Sequence, residues 1–152
     1  MLETWENMNS SSPIDIHIDI RYKHHWINHP LILHTKIDTK TIDVDVSGKK
    51  YKSISKKIKL EDGEHKILIS CDNKTNMHTI TDKFGGIVED SYMQLVHFKI
   101  NDINVMELVK RKAYFIKKDG GRIIPNDGIW LNGTLCFDFK TPLYNWFLEC
   151  IF

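Results

Sequence analysis

The stretch from Ile14 to Tyr22 constrains the fold more than any other part of the chain. Ile14, Ile16, Ile18, Ile20 and Tyr22 alternate there with Asp15, His17, Asp19 and Arg21. Alternation at period two puts every isoleucine on one face of a strand and every charged group on the other. The β-branched side chains suit a pleated backbone and lose freedom in a helix. A strand that is half wet and half buried needs strands beside it and an apolar layer beneath it.

Shorter versions of the signal follow at near-regular spacing. Leu31, Leu33, Thr35 and Ile37 share one side of the next strand, and Ile42, Val44 and Val46 are expected to face inward from the one after. Along 51–60, Ile54, Ile58 and Leu60 share a face that Lys56 interrupts, as an edge strand allows. Ile67, Ile69 and Cys71 line another strand, and Met77–Thr81 forms a short one before an Asp82–Asp90 loop containing Gly85 and Gly86. In Ser91–Asn101, Tyr92, Val96, Phe98 and Ile100 fall on one face, opposite Met93, Leu95 and His97. Apolar residues on both faces predict a central strand covered on both sides.

Ser47-Gly48-Lys49 and Asn132-Gly133 read as hairpin turns, the second joining 129–131 to 134–139. Val105, Leu108 and Val109 have the spacing of a short helix. Thr141 and Pro142 read as the cap and first residue of a final helix whose stripe is Leu143, Trp146, Phe147 and Cys150. These elements predict an all-β fold, an antiparallel β-sandwich of jelly-roll-like form with a short internal helix and a C-terminal capping helix. Residues 1–13 read as a polar, flexible tail carrying Trp5, and 14–152 as a single domain.

With 152 residues the chain can bury a core without disulfide or metal. Its net charge of +1 argues against nucleic acid or membrane as a partner, and no apolar run reaches the length of a membrane span. Cys71, Cys136 and Cys150 make no C-x-x-C pair, and Met1–Thr4 opens no secretory signal. G-x-S-x-G, H-E-x-x-H and phosphate-cradling glycine motifs are absent, so neither a catalytic residue nor a required cofactor is expected. A hydrolase assembled only in three dimensions would need one His bonded both to a carboxylate and to a Ser or Cys.

Two groups carry binding chemistry. Trp26, Tyr92 and Trp130 offer flat apolar rings of the kind that stack on a sugar. Asp82, Glu89 and Asp90 flank the Gly-Gly loop and supply the oxygen ligands that Ca²⁺ takes. Asp15, His17 and Asp19 are read as an ordinary solvated strand face, and His24, His25 and His29 as surface histidines around Trp26.

The segments Leu60–Ile67, Asp82–Asp90, Ile100–Ile103, Leu131–Gly133 and Thr141–Glu149 resemble small uncharacterised proteins of tailed bacteriophages, similar in outline to carbohydrate-binding-module β-sandwiches. The resemblance runs from about Leu60 to the C-terminus and rests on turns and the closing helix. It implies a non-enzymatic structural or decorating protein of a virion, assembled in the host cytoplasm. The tail and sheet edges would then meet other virion proteins or further copies of the chain. The alternative is a carbohydrate-binding module with a glycan as partner and Ca²⁺ as an aid. No functional residue carries over.

Overall fold

The computed structural model describes residues 13–151, so the expected tail and its Trp5 lie, Pro13 apart, outside the described residues. The Ile14–Tyr22 alternation extends into β1 (Ile14–His25), which lies inside the first sheet. That sheet runs in the order β12 (Gly128–Ile129), β8 (Tyr92–Ile100), β1, β4 (Tyr51–Leu60), and β9 (Ile103–Asn104) pairs with β8. The second sheet runs β11 (Arg122–Ile123), β10 (Tyr114–Lys117), β13 (Gly133–Thr141), β5 (Gly63–Cys71), β2 (Leu33–Ile37), β3 (Lys40–Asp45). Neighbouring strands are antiparallel throughout.

The buried faces of the two sheets meet in one core. Ile16, Ile18, Ile20 and Tyr22 of β1 and Met93, Leu95, Phe98 and Ile100 of β8 form one layer. Ile67 and Ile69 of β5, with Leu135, Phe137 and Phe139 of β13, belong to the opposing sheet. Phe98 meets Phe137 across the layers, edge to face, with centroids 5.4 Å apart. The chain passes from sheet to sheet after β1, β3, β4, β9, β11 and β12, and again between β5 and β8, which gives the jelly-roll-like sandwich.

β8 departs from its expected form. Its pairing pattern opposes Arg21 to His97 and Tyr22 to Leu95, which leaves Val96 as an extra residue. This β-bulge reverses the parity of the strand, so Met93 and Leu95 before it share the core face with Phe98 and Ile100 after it. The apparent second apolar face is therefore a single buried face interrupted once. The other face carries Tyr92, Gln94, His97 and Lys99, all half-buried.

Three further expectations are corrected. β3 packs Ile42 partly against the core as expected, but its fully buried residue is Asp45, and Val44 and, just past the strand, Val46 are exposed. Asp45 accepts a hydrogen bond from the buried Tyr22 hydroxyl at 2.8 Å, so a polar anchor replaces the apolar alternation. Asn132-Gly133 closes no hairpin, because β12 pairs with β8 while β13 pairs with β5 and β10. Gly133 instead sits at φ +152°, where a Cβ would strike the Ile116 carbonyl and the Phe115 ring. The Asp82–Asp90 loop contains β7 (Ile87–Asp90), which forms a separate ribbon with β6 (Thr79–Thr81).

The two helices are present as α1 (Met106–Lys112) and α2 (Leu143–Ile151). Thr141 does not cap α2: it ends β13, and its hydroxyl donates to the Glu61 carbonyl. Packing holds the helix instead. Trp146 is buried against Phe137, Phe139 and Phe147 at centroid distances of 5.9, 6.2 and 5.0 Å, and Leu143 joins the same core.

Candidate functional site

The outward residues of β1 and β8 make a face with rings at one end. β1 carries Asp15, His17, Asp19, Arg21, Lys23 and His25 on its solvent side, continuing the alternation that buries the isoleucines. His25 is paired with Tyr92 on β8, and their rings lie 5.5 Å apart. Trp130 follows directly after β12 and stacks on Tyr92 at 5.7 Å with planes 16° apart. His25 Nε2 lies 2.6 Å from Glu89 Oε1. The row Trp130–Tyr92–His25 is thus an open aromatic strip with a carboxylate at its end.

The strip is fixed from behind. Lys74, only 9% exposed at its side chain, donates to the carbonyls of Ser91 and Trp130 and pairs with Asp90 at 2.7 Å. Asn132 accepts from Lys74 N and donates to Lys74 O, both at 2.8 Å. One buried ammonium therefore ties together the residues beside Tyr92 and the backbone of Trp130. Gly128 lies under the indole, where a Cβ would meet Met93 O at 2.6 Å and the six-membered ring of Trp130. Without a side chain at Gly128 the indole can cross the sheet edge closely.

Of the three aromatic residues expected, the structure brings Tyr92 and Trp130 together and leaves Trp26 out. Trp26 is exposed, but its indole N–H donates to the Gly48 carbonyl, so the ring serves the β3–β4 crossing. Trp130 is 37% exposed, and its neighbour Leu131 is exposed too. The sequence marks His25 only as a surface histidine near Trp26 and does not mark Lys74 or Gly128 at all. The alternation of β1 carried to its end would have placed His25 outward, whereas no local pattern marks Lys74 or Gly128.

The three acids proposed for Ca²⁺ are separated. Asp82 Oδ1 accepts from the Phe84 and Gly86 amides at 2.8 Å and so builds its own turn. Glu89 turns to His25, and Asp90 accepts from Lys74 and from the Thr79 hydroxyl. Burial raises the Asp90 carboxyl, but Lys74, Thr79 and the Ser91 amide outweigh it and hold it below the usual range. Ca²⁺ needs six to eight oxygens converging on one point, and this arrangement does not fit it.

Among the described residues, His17, Asp19 and Asp102 are the ones whose potential ligand atoms all lie within 4.8 Å of one another. His17 Nε2 is 2.7 Å from Ser55 Oγ and 3.4 Å from Asp19 Oδ1. Formally a His meets a Ser and a carboxylate, but both contacts fall on one nitrogen. A relay needs one partner on each nitrogen, so this is not a Ser-His-Asp arrangement. The buried Cys71 and Cys136 thiols are pushed up by burial and are poor nucleophiles.

His24 is not on the surface as expected. It is buried, with Nε2 3.8 Å from Asp45 Oδ2 in the pocket that also holds Tyr22. Another cleft, of about 350 Å³, lies beside α2, where Asp38 binds His65, Lys66 pairs with Asp138 and Lys140 with Glu149. These charges satisfy one another, so the cleft offers a ligand less than the open strip does. Among the described residues no helix is long and apolar enough to cross a membrane.

The fold is an antiparallel β-sandwich, and its likeness to known proteins is one of architecture. The structure titled vCBM60 in complex with galactobiose matches with a TM-score of 0.50 at 10% identity, over 80% of this chain and 96% of that one. At that identity the likeness is one of fold. No protein-family model matches the chain, and no curated protein does.

Proposed function

We propose that the protein is a non-catalytic glycan-binding module in which the Trp130–Tyr92 stack carries the sugar. The observation behind this reading is a near-parallel, partly exposed ring pair held rigid by Lys74 and Asn132. A rigid apolar platform pays little ordering entropy on binding, and the apolar face of a pyranose is its natural complement. His25 and Glu89 at the end of the strip supply a donor and acceptors for hydroxyl groups. Support from outside the chain is that the similar fold described above was solved holding galactobiose.

Affinity electrophoresis through gels containing β-galactan tests it. The parent should be retarded, and Trp130→Ala should weaken binding by about 3–10-fold, the value of one aromatic stacking contact, with an unchanged melting temperature. Equal retardation of parent and variant would remove the platform from the account.

A second reading, assembly as a virion component, has its own observation. The β6–β7 ribbon and its turn expose Phe84 (86%), Ile87 (67%) and Val88 (65%), and exposed apolar surface often meets another protein. Sedimentation showing a monomer at high concentration, with no such chain in purified particles, would dismiss it.

A further inference from the structure

We infer that the glycan is acidic, with a carboxylate or sulfate group of the sugar chain seated beside Arg21 and Lys23. This inference rests on the glycan-binding reading. Next to the aromatic strip on the same face is a shallow cleft of about 580 Å³ lined by Arg21, Lys23, Tyr51, Val96 and His97. No acid lines it. Among the described residues neither Arg21 nor Lys23 meets a carboxylate at ion-pair distance.

Strand register builds the cleft. Lys23 lies opposite Gln94 on β8 and Tyr51 on β4, and Arg21 lies opposite His97. The bulge at Val96 turns His97 outward beside Arg21. The Arg21 guanidinium lies 4.8 Å from the centre of the Tyr51 ring, which is itself half exposed. Stacking of this kind holds the guanidinium plane and leaves its edge free for a bidentate anion. Asp19, which faces His17, and Asp102 line the adjoining cleft on the other side of Arg21, while Asp127, nearer the rings, accepts from Gln94 at 3.3 Å.

Position favours a sugar over a free anion. From the His25–Tyr92 pair to the Arg21–His97 pair is four residues along β1, or about 13 Å at strand rise. A linear oligosaccharide stacked on Trp130 and Tyr92 and running along β1 passes over Lys23 and reaches Arg21. Nucleic acid would also find rings and cations here, but the net charge of +1 provides no wider basic field for a phosphate backbone.

Calorimetric titration with three galactose-based oligosaccharides of equal length tests the inference: an oligogalacturonate, a sulfated galactan fragment and an uncharged β-galactan fragment. The parent should bind one of the charged sugars about 10–100-fold more tightly than the neutral one, as charge-assisted hydrogen bonds allow, and added salt should reduce the difference. The Arg21→Gln/Lys23→Gln variant should lose that preference while keeping the neutral affinity and the parent melting temperature. Equal affinity of the parent for all three, or an unchanged preference in the double variant, overturns the inference and leaves the glycan reading standing. If no sugar binds, both fall. Tighter binding of a single-stranded oligonucleotide than of any sugar also overturns it.

Discussion

Gly128 has no special backbone angle, yet it decides where an indole can lie. A methyl group there would press on the Trp130 ring and the Met93 carbonyl. Gly128→Ala should therefore cost as much sugar affinity as Trp130→Ala, with an altered near-ultraviolet circular dichroism spectrum. Parent affinity in that variant would show that the platform does not depend on the close approach. His24 ties stability to pH. Burial holds its imidazole below the ordinary value, although Asp45 pulls the other way. Burial also raises the Asp45 carboxyl, but Ser47, Tyr22 and His24 outweigh it, so Asp45 too titrates below its ordinary range. Near pH ~6.5 the unfolded chain takes up a proton that the folded His24 refuses. Stability is then complete above that pH and declines below it, and Asp45 adds a loss of the same sign at lower pH. Denaturant unfolding at pH 7.5 and 5.5 should show the decline in the parent and a smaller one in His24→Gln; an equal decline in both would clear His24. The sequence nominates Trp130 as a stacking ring but does not mark His24 as inward-facing. The alternation of β1 does place His24 on the Ile side; the density of histidines around it made the stretch look like a loop.

Among the elements, β8 shows what periodicity can and cannot carry. Its existence and central position were legible from its apolar content, but the bulge at Val96 was not, because an inserted residue looks in sequence like a second apolar face. Deleting Val96 should leave a regular alternation in which Met93, Leu95, Phe98 and Ile100 still face the core. That variant should fold with a cooperative melt and lose the cleft beside Arg21; a chain that fails to fold would mean the strand is not bulged. The closing helix was legible because Leu143, Trp146, Phe147 and Cys150 keep helical spacing. Its stability rests on Trp146 among three phenylalanine rings, and an isolated helix of this length would be marginal in water. Trp146→Ala should cost about 3–5 kcal/mol in denaturant unfolding. A variant as stable as the parent would make α2 an interface element. The hairpin expected at Asn132-Gly133 failed for a topological reason: strands adjacent in sequence pair with distant ones, and a turn dipeptide also serves a crossing between sheets.

For the whole molecule, the sandwich was legible because strand spacing and one-sided burial are local properties. The candidate site was less so. Tyr92 and Trp130 were nominated as rings, but their stacking, the clamp through Lys74 and the exclusion of Trp26 depend on contacts between residues far apart in the chain. The acids of the Gly-Gly segment looked like a cation site because proximity in sequence suggested convergence, whereas β6–β7 pairing sends each to a different partner. What emerges is a sandwich with one outer face that is aromatic at one end and basic beyond it, the face proposed to take a glycan. The most direct test of that claim is a ¹H–¹⁵N spectrum of the labelled protein titrated with a β-galactan oligosaccharide. Shifts should concentrate on the Trp130 indole and on the amides of Tyr92 and His25. Shifts confined to the β6–β7 ribbon or to the cleft beside α2, or no shifts at saturating sugar, would contradict it.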